Sequence, residues 1–176
     1  MMDQFVEFLK SPNRESFFAL RNILLASEHY DPYSDPFNRV LQLLDAGELG
    51  EAQEAISTAM PNLLLSPRAH LMSAVIAEKA GDERHAQAER FIAAACAEGM
   101  VATGNGSKDT PYAICRISDE HDILAYLGKT FSDQSLVHDG DRHLDVMNCK
   151  DGTEVWFDIT EPYNKLEERL RPRGTE

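Results

Sequence analysis

The segment QSLVHDGDRHLDVMNCKDGTEVWFDIT, residues 134–160, decides the fold of the second half of this chain. It contains Asp-Gly pairs at 139–140 and 151–152, and this dipeptide favours the positive φ that tight hairpin turns need. Apolar and polar residues alternate between the pairs and after them, and a period of two predicts strands with one apolar face. The apolar positions are Leu144, Val146, Val155, Phe157 and Ile159. The segment therefore predicts three antiparallel strands joined by two tight turns.

Helical spacing dominates the first hundred residues. A first helix is predicted over 3–10, and Asn13 or Ser11 is placed to cap a second helix that runs to about residue 29. Between Phe17 and Leu24 the apolar residues recur at spacings of three and four, as an amphipathic helix requires. The pattern predicts a helical N-terminal half.

Residues 36–100 have the pattern of two helical hairpins. Their turns fall at Gly47 and Gly81, which are 34 residues apart, and alanines of the second helices keep the same offset. This period resembles the tetratricopeptide repeat, in which small residues let paired helices approach closely. Pro36 and His70 stand where that repeat usually carries an aromatic residue.

The predicted organisation has three parts. A helical, tetratricopeptide-like unit covers 1–100, a Gly-, Asn- and Ser-rich linker covers 101–110, and a small α+β unit covers 111–170. The last unit is predicted to contain a strand over 111–117, a helix from Ser118 to Gly128, the three strands, and a final helix that begins at Pro162. The predicted fold class is α+β, with the helical half packed against a small antiparallel sheet.

Composition limits the possible partners. The net charge of −13 argues against nucleic acid and anionic membranes, and favours a basic protein partner. No run approaches the roughly 20 apolar residues of a membrane helix, and no secretion signal is recognised at the N-terminus. The three cysteines lack C-x-x-C spacing, so neither a disulfide framework nor a zinc knuckle is predicted. The predicted compartment is the cytoplasm.

Several short motifs follow one another along the chain. They are Phe17-x-x-Leu20-Arg21, Tyr30-x-Pro32-Tyr33, Thr110-Pro111-Tyr112 after a Gly-rich loop, Ser118-Asp119-Glu120-His121-Asp122 with Leu124, Gln134-Ser135-Leu136, Asp145-Val146-Met147, Trp156-Phe157-Asp158-Ile159 and Pro162-Tyr163. Their order resembles a bacterial family known only as a domain of unknown function, whose helical half precedes a small sheet that ends in an aromatic-Phe-Asn/Asp-Ile strand. The resemblance implies this fold and no catalytic residues. Many members carry a secretion signal, so the resemblance does not extend to location.

The second half also contains histidines, acids and cysteines. These residues allow an alternative interpretation, in which the protein is an enzyme or binds a small molecule or a metal. His138 and His143 flank one predicted turn, so their side chains are expected to converge, and His121 lies earlier in the same half. Zinc needs three or four ligands, and no recognised spacing is present, so no metal or cofactor is predicted. A nucleophilic Cys149 or Cys115 needs a lowered thiol pKa, and nothing local supplies positive charge.

Acidic residues are dense from Ser118 to Thr160, where ten acids and three bases give a charge of −7. Trp156 alternates with the apolar positions of its strand, so it is predicted to be exposed beside Asp145 and Asp158. The alternative is that a helix covers this face and Trp156 belongs to the core. The predicted partner-binding residues are Trp156, Asp145, Asp158, Asp141 and His143. An exposed aromatic side chain among acids is typical of a binding hot spot for a basic protein.

The function predicted from the sequence is non-enzymatic protein binding. One concrete form is an immunity or antitoxin protein that masks a basic bacterial toxin. A helical groove around His70 and Ser73 is the alternative binding surface. Besides the toxin-binding protein and the enzyme or small-molecule binder, a third possibility is a housekeeping adaptor that has no connection to a toxin.

Overall fold

The computed structural model describes residues 1–170, which form eight helices and four strands. In chain order these are α1 (Met2–Lys10), α2 (Arg14–Leu25), α3 (Phe37–Ala46), α4 (Leu49–Leu63), α5 (Pro67–Lys79), α6 (Glu83–Val101), β1 (Tyr112–Ala113), α7 (Asp119–Tyr126), β2 (Phe131–Asp139), β3 (Arg142–Cys149), β4 (Glu154–Asp158) and α8 (Thr160–Leu170). The fold class is α+β, as predicted. Within the described residues, no helix is both long and apolar enough to cross a membrane.

The predicted helix ends have clear local causes. Asn13, and not Ser11, caps α2, because its side chain accepts hydrogen bonds from the backbone of Glu15 and Ser16. At the other end of the chain, Asp158 accepts a 3.0 Å hydrogen bond from the Thr160 backbone. The last helix therefore begins at Thr160, two residues before the predicted start at Pro162.

Two helical hairpins are formed by α3 with α4 and by α5 with α6. Gly47 and Gly81 end the first helix of each with φ of +79° and +81°, which only glycine adopts without strain. The next residues donate equivalent 2.9 Å hydrogen bonds, Glu48 to Leu43 and Asp82 to Ala77. The same helix end thus recurs after 34 residues. The likeness of these hairpins to tetratricopeptide repeats remains a prediction.

The sheet is mixed, in the order β1-β4-β3-β2. Strands β2, β3 and β4 are antiparallel, as predicted, but β1 pairs with β4 in parallel, with Tyr112 opposite Phe157. The prediction of an antiparallel sheet is therefore wrong at this strand. Because β1 adds beside β4, strand β2 is left at the opposite edge.

Strand β1 covers two residues of the seven predicted, because side chains bind the backbone that follows it. Arg21 Nε donates to the Ile114 carbonyl at 2.9 Å, and Tyr30 Oη donates to that of Cys115 at 2.7 Å. The backbone N–H groups of Cys115 and Arg116 donate to Asp119 Oδ2 at 3.1 and 2.8 Å. These bonds replace the hydrogen bonds that a longer strand would make.

Both predicted hairpin turns are present. Gly140, with φ of +63°, is the first of two residues between Asp139 and Arg142, which is the glycine position of a type II′ turn. Gly152, with φ of +81°, is the last of the three residues between β3 and Thr153, where a left-handed residue closes the loop. Glycine at these positions fixes the register of both hairpins.

One hydrophobic core joins the two halves of the chain. Phe8, Phe17 and Leu20 of the helices share it with Met147 and Phe157 of the sheet, and all five are buried. Helix α6 extends to Val101, into the segment predicted as a linker. The rest of that segment lies against β4, where Trp156 N donates to the Gly106 carbonyl at 2.9 Å. The two halves therefore pack as one unit.

Candidate functional site

The predicted partner-binding residues of β3 and β4 lie on two faces of the sheet. Trp156 pairs with Val146, whereas Asp145 pairs with Phe157, and directly paired residues share a face. Trp156 and Asp158 are therefore on the face opposite to Asp145. The expectation that Trp156 is exposed beside Asp145 is wrong: Trp156 is half-buried and donates to Glu154 at 3.2 Å.

Asp145 is on the core face and only 5% exposed. Gln134 Nε2 donates a 2.6 Å hydrogen bond to its Oδ2. Desolvation, together with the adjacent Asp145 carboxylate, raises the pKa of Glu120 well above its usual range. In its protonated form Glu120 donates to Asp145, whose own pKa is raised by desolvation and lowered in part by its hydrogen bonds with Glu120 and Gln134. Asp145 thus ties α7 to the β2–β3 hairpin.

The two histidines of the β2–β3 hairpin converge, as predicted. The Nδ1 atoms of His138 and His143 lie 2.8 Å apart, so one ring donates a hydrogen bond to the other. The His143 ring also stacks on Tyr163, with 3.9 Å between the ring centroids. Asp141 is exposed in the turn beside them. Within residues 1–170, no group of three His, Cys, Asp or Glu side chains is arranged to hold a metal ion.

The three thiols are buried and do not join the histidines. Desolvation raises the pKa of Cys96 and of Cys115, the opposite of the shift that a nucleophilic thiol needs. The Cys149 thiol donates to the Met147 carbonyl at 3.8 Å, and the His121 ring lies edge-on to Phe131. No hydrogen bond connects a thiol to a histidine in the described residues.

The exposed edge of the sheet is β2. Of its nine residues, all but Val137 are exposed, whereas β3 beside it is largely buried. The sheet ends at β2, so no strand of residues 1–170 pairs with its outer side. A long exposed edge is a template for pairing with another chain, and proteins usually block it with lysine, proline or a bulge. Strand β2 has neither lysine nor proline, and its one bulge lies at its start, between Phe131 and Asp133.

The turn geometry shows which backbone groups of β2 point outward. Asp139 and Arg142 flank a two-residue turn, so they form a hydrogen-bonded pair. Because such pairs alternate with non-hydrogen-bonded pairs along antiparallel strands, His138, Leu136 and Gln134 direct their N–H and C=O groups away from β3. The outer edge thus has three residues whose backbone N–H and C=O groups can each bind another strand.

The side chains of β2 add a charge pattern to this edge. Asp133 and Asp139 lie on one face of the strand, and β2 contains no Lys or Arg. Asp133 accepts from Asn148 at 2.7 Å, and Asp139 lies 3.5 Å from the Lys108 ammonium. Leu136, on the other face, is 45% exposed. The edge is therefore acidic along one face and partly apolar along the other.

The helical half has its own groove, but not where the sequence analysis placed it. His70 and Ser73 are buried, and His70 bonds to Glu89 at 2.7 Å and to the Leu64 carbonyl at 3.0 Å. The groove of about 520 Å³ lies instead between α5, α6 and α7. Leu71 and Tyr126 line it and are about half exposed.

Sequence reasoning placed the candidate binding surface on β3 and β4 and did not identify the exposed edge at β2. The available signal was the composition of β2, FSDQSLVHD, which is mostly polar and in which Phe131, Leu136 and Val137 do not alternate regularly with polar residues. A strand without this alternation is typical of a sheet edge that the core does not cover.

Comparison with protein-family models, with curated proteins and with solved structures finds no match to this chain. The resemblance to the bacterial family of unknown function consequently remains a prediction.

Proposed function

We propose that this protein is a protein-binding module that receives an extended, basic segment of its partner along the outer edge of β2. The proposal rests on the nine-residue edge strand, whose outward N–H and C=O groups have no partner in residues 1–170. An added strand would form main-chain hydrogen bonds with Gln134, Leu136 and His138. Affinity would come from these bonds, and selectivity from the side chains on either face.

The charge on β2 favours a basic partner over a second copy of this chain. A two-fold pairing of two β2 strands centred on Leu136 would set Asp133 of one copy opposite Asp139 of the other. Like charges directly opposite each other destabilise a strand pair. Lys or Arg at the same positions of a partner strand would instead meet the acids, and the net charge of −13 would speed the encounter.

One form of this function is an immunity or antitoxin protein that masks a basic bacterial toxin. An edge strand that pairs with a segment of the toxin would cover that segment, and the acidic surface would select for basic proteins. Four of the predicted partner-binding residues remain at least partly accessible. Asp141 and His143 lie in and beside the β2–β3 turn, and Trp156 and Asp158 lie on β4, which β3 separates from this edge.

The test is a pull-down from lysate of the native host with the tagged chain and two variants at Leu136. Leu136→Pro removes an outward N–H group without removing a β2–β3 hydrogen bond, since this residue is in a non-hydrogen-bonded pair. Leu136→Ala removes the same side chain and keeps the N–H group, so it is the matched control.

We expect a basic protein, identified by mass spectrometry, to be retained by the wild type and by Leu136→Ala, less at high salt, and lost with Leu136→Pro. Equal retention by the proline variant would show that the edge of β2 is not the binding surface. Unchanged far-UV circular dichroism of Leu136→Pro is required, so that a loss of binding reports on the edge and not on unfolding.

A further inference from the structure

A cavity of about 280 Å³ lies where the connection between α2 and α3 meets the N-terminus of α7. It contains no residue of β2, and it adjoins the groove between α5, α6 and α7, with which it shares Arg68 and His121. Its lining residues are Pro32, Tyr33, Ser34, Asp35, Arg68, Arg116, Ile117, Ser118 and His121.

Arg116 is the unusual member of this lining. It is only 1% exposed, and its guanidinium packs 5.4 Å from the centre of the Phe37 ring. Nη2 donates to the Ser34 carbonyl, but Nε and Nη1 have no hydrogen-bond partner in residues 1–170. Buried charges in proteins are normally paired, because an unpaired one has lost its hydration without compensation. In a chain with 30 acidic residues, an unpaired buried arginine indicates a missing anion.

The nearby carboxyl groups are engaged elsewhere. Asp119 uses Oδ2 to accept from two backbone N–H groups, and desolvation raises its pKa to about 7. Asp122 pairs with Arg68 at 2.7 Å. Asp35 accepts from the Phe37 backbone at 3.1 Å. None of them forms an ion pair with the Arg116 guanidinium, although its charge lowers, in part, the pKa of Asp119 and of Asp122.

Further donors surround the same space. Ser118 Oγ is buried and has no hydrogen-bond partner among the described residues. The His121 side chain lines the cavity and is exposed. The N-terminus of α7, whose dipole favours negative charge, begins beside Ser118.

We propose that this cavity binds a carboxylate group, with Arg116 supplying the countercharge and Ser118 a hydrogen bond. The single guanidinium without an ion-pair partner matches the single charge of a carboxylate better than the double charge of a phosphate. The carboxylate belongs either to a small organic acid or to the C-terminus of a peptide, and the two sources differ only in what is attached to the recognised group.

The test follows the Nε–Hε resonance of Arg116 by ¹H–¹⁵N NMR of the full wild-type chain during titration with sodium propionate. The resonance is assigned by its loss in Arg116→Lys. Propionamide, which has the same shape and no charge, is the matched control. We expect a saturable shift with propionate and none with propionamide. Absence of a saturable shift with propionate, or an equal response to propionamide or to inorganic phosphate, would overturn the proposal.

A second variant tests the role of Ser118, and a second pair of ligands distinguishes the two sources of the carboxylate. Ser118→Ala should weaken propionate binding about fivefold, the loss of one hydrogen bond of about 1 kcal/mol, and unchanged affinity would contradict the role given to Ser118. A short acetylated peptide with a free C-terminus is compared with its C-terminal amide. Tighter binding of the free peptide than of propionate assigns the site to a peptide C-terminus, and weaker binding assigns it to a small acid.

Discussion

Gln134 and Asp145 lie diagonally across strands β2 and β3, and the Gln134 amide donates a hydrogen bond of 2.6 Å to the Asp145 carboxylate. In its protonated form, Glu120 of α7 donates to the same carboxylate, and desolvation and Asp145 raise the pKa of Glu120. This network joins both strands of the exposed hairpin to the helix that precedes them. It also makes the stability of the protein depend on pH.

We expect the free energy of unfolding to fall as the pH rises from about 4 to above 7. Desolvation raises the pKa of Glu120 and of Asp119, the latter to about 7, so the folded chain holds protons that the unfolded chain releases from about pH 4 upward. Their contribution is present at pH below 4 and is lost as the pH passes the folded pKa. Urea unfolding at pH 5 and pH 8 measures this difference.

Glu120→Gln should reduce this pH dependence, because glutamine donates to Asp145 at every pH. Glu54→Gln, which removes an exposed acid of α4, is the matched control and should leave the slope unchanged. An identical slope in wild type and Glu120→Gln would contradict the assignment of the proton to Glu120.

The close approach of α1 and α6 depends on Gly99. A Cβ atom there would lie 2.5 Å from the Phe8 ring, whereas a Cβ at Gly50 of α4 would meet nothing within 4 Å. We expect Gly99→Ala to destabilise the protein by about 1–3 kcal/mol through overpacking. Gly50→Ala should be neutral or stabilising by up to about 1 kcal/mol. Chemical denaturation of the pair compares them directly, and equal effects would contradict this packing.

Tyr30 fixes the irregular backbone that follows β1. Its hydroxyl donates a buried 2.7 Å hydrogen bond to the Cys115 carbonyl. We expect Tyr30→Phe to lower the free energy of unfolding by about 1–3 kcal/mol, because the carbonyl would lose its partner. Tyr126→Phe, at an exposed position of α7, should change it by less than about 0.5 kcal/mol. Thermal and urea unfolding of both variants provide the measurement.

The acids of β2 should govern the rate at which a basic partner binds. We expect the double variant Asp133→Asn and Asp139→Asn to lower the association rate several-fold at low salt and to have little effect at high salt, since charge steers the encounter. Glu51→Gln with Glu54→Gln removes the same charge from α4 and is the control. Surface plasmon resonance with the captured partner measures both rates. Equal slowing by the two double variants would mean that net charge matters and position does not.

Local signals in the sequence were enough to predict most elements of the fold. Gly47 and Gly81 ended helices, and Gly140 and Gly152 closed hairpins, because each of these positions needs a positive φ. The alternation after Asp151 placed Val155, Phe157 and Ile159 in the core. These features depend on neighbours in sequence, which the sequence shows directly.

The candidate sites depend on contacts between distant residues, and the sequence does not show these. From the sequence alone, Asp145 is expected to be a surface acid. The fold buries it and places Glu120 and Gln134 beside it. From the sequence alone, Arg116 is expected to belong to a strand. In the structure its backbone N–H donates to Asp119, and the strand ends before it. Strand β2 becomes an edge only because β1 adds in parallel beside β4, and periodicity carries no information about strand order.

The most direct test of the proposed binding edge is amide hydrogen exchange at β2, measured by NMR with and without the captured partner. The outward amides of Gln134, Leu136 and His138 should exchange at least tenfold more slowly in the complex, while the inward amides of Ser135 and Val137, already bonded to β3, should change little. Unchanged exchange at the three outward amides, or protection confined to the groove at Leu71 and Tyr126, would contradict the account.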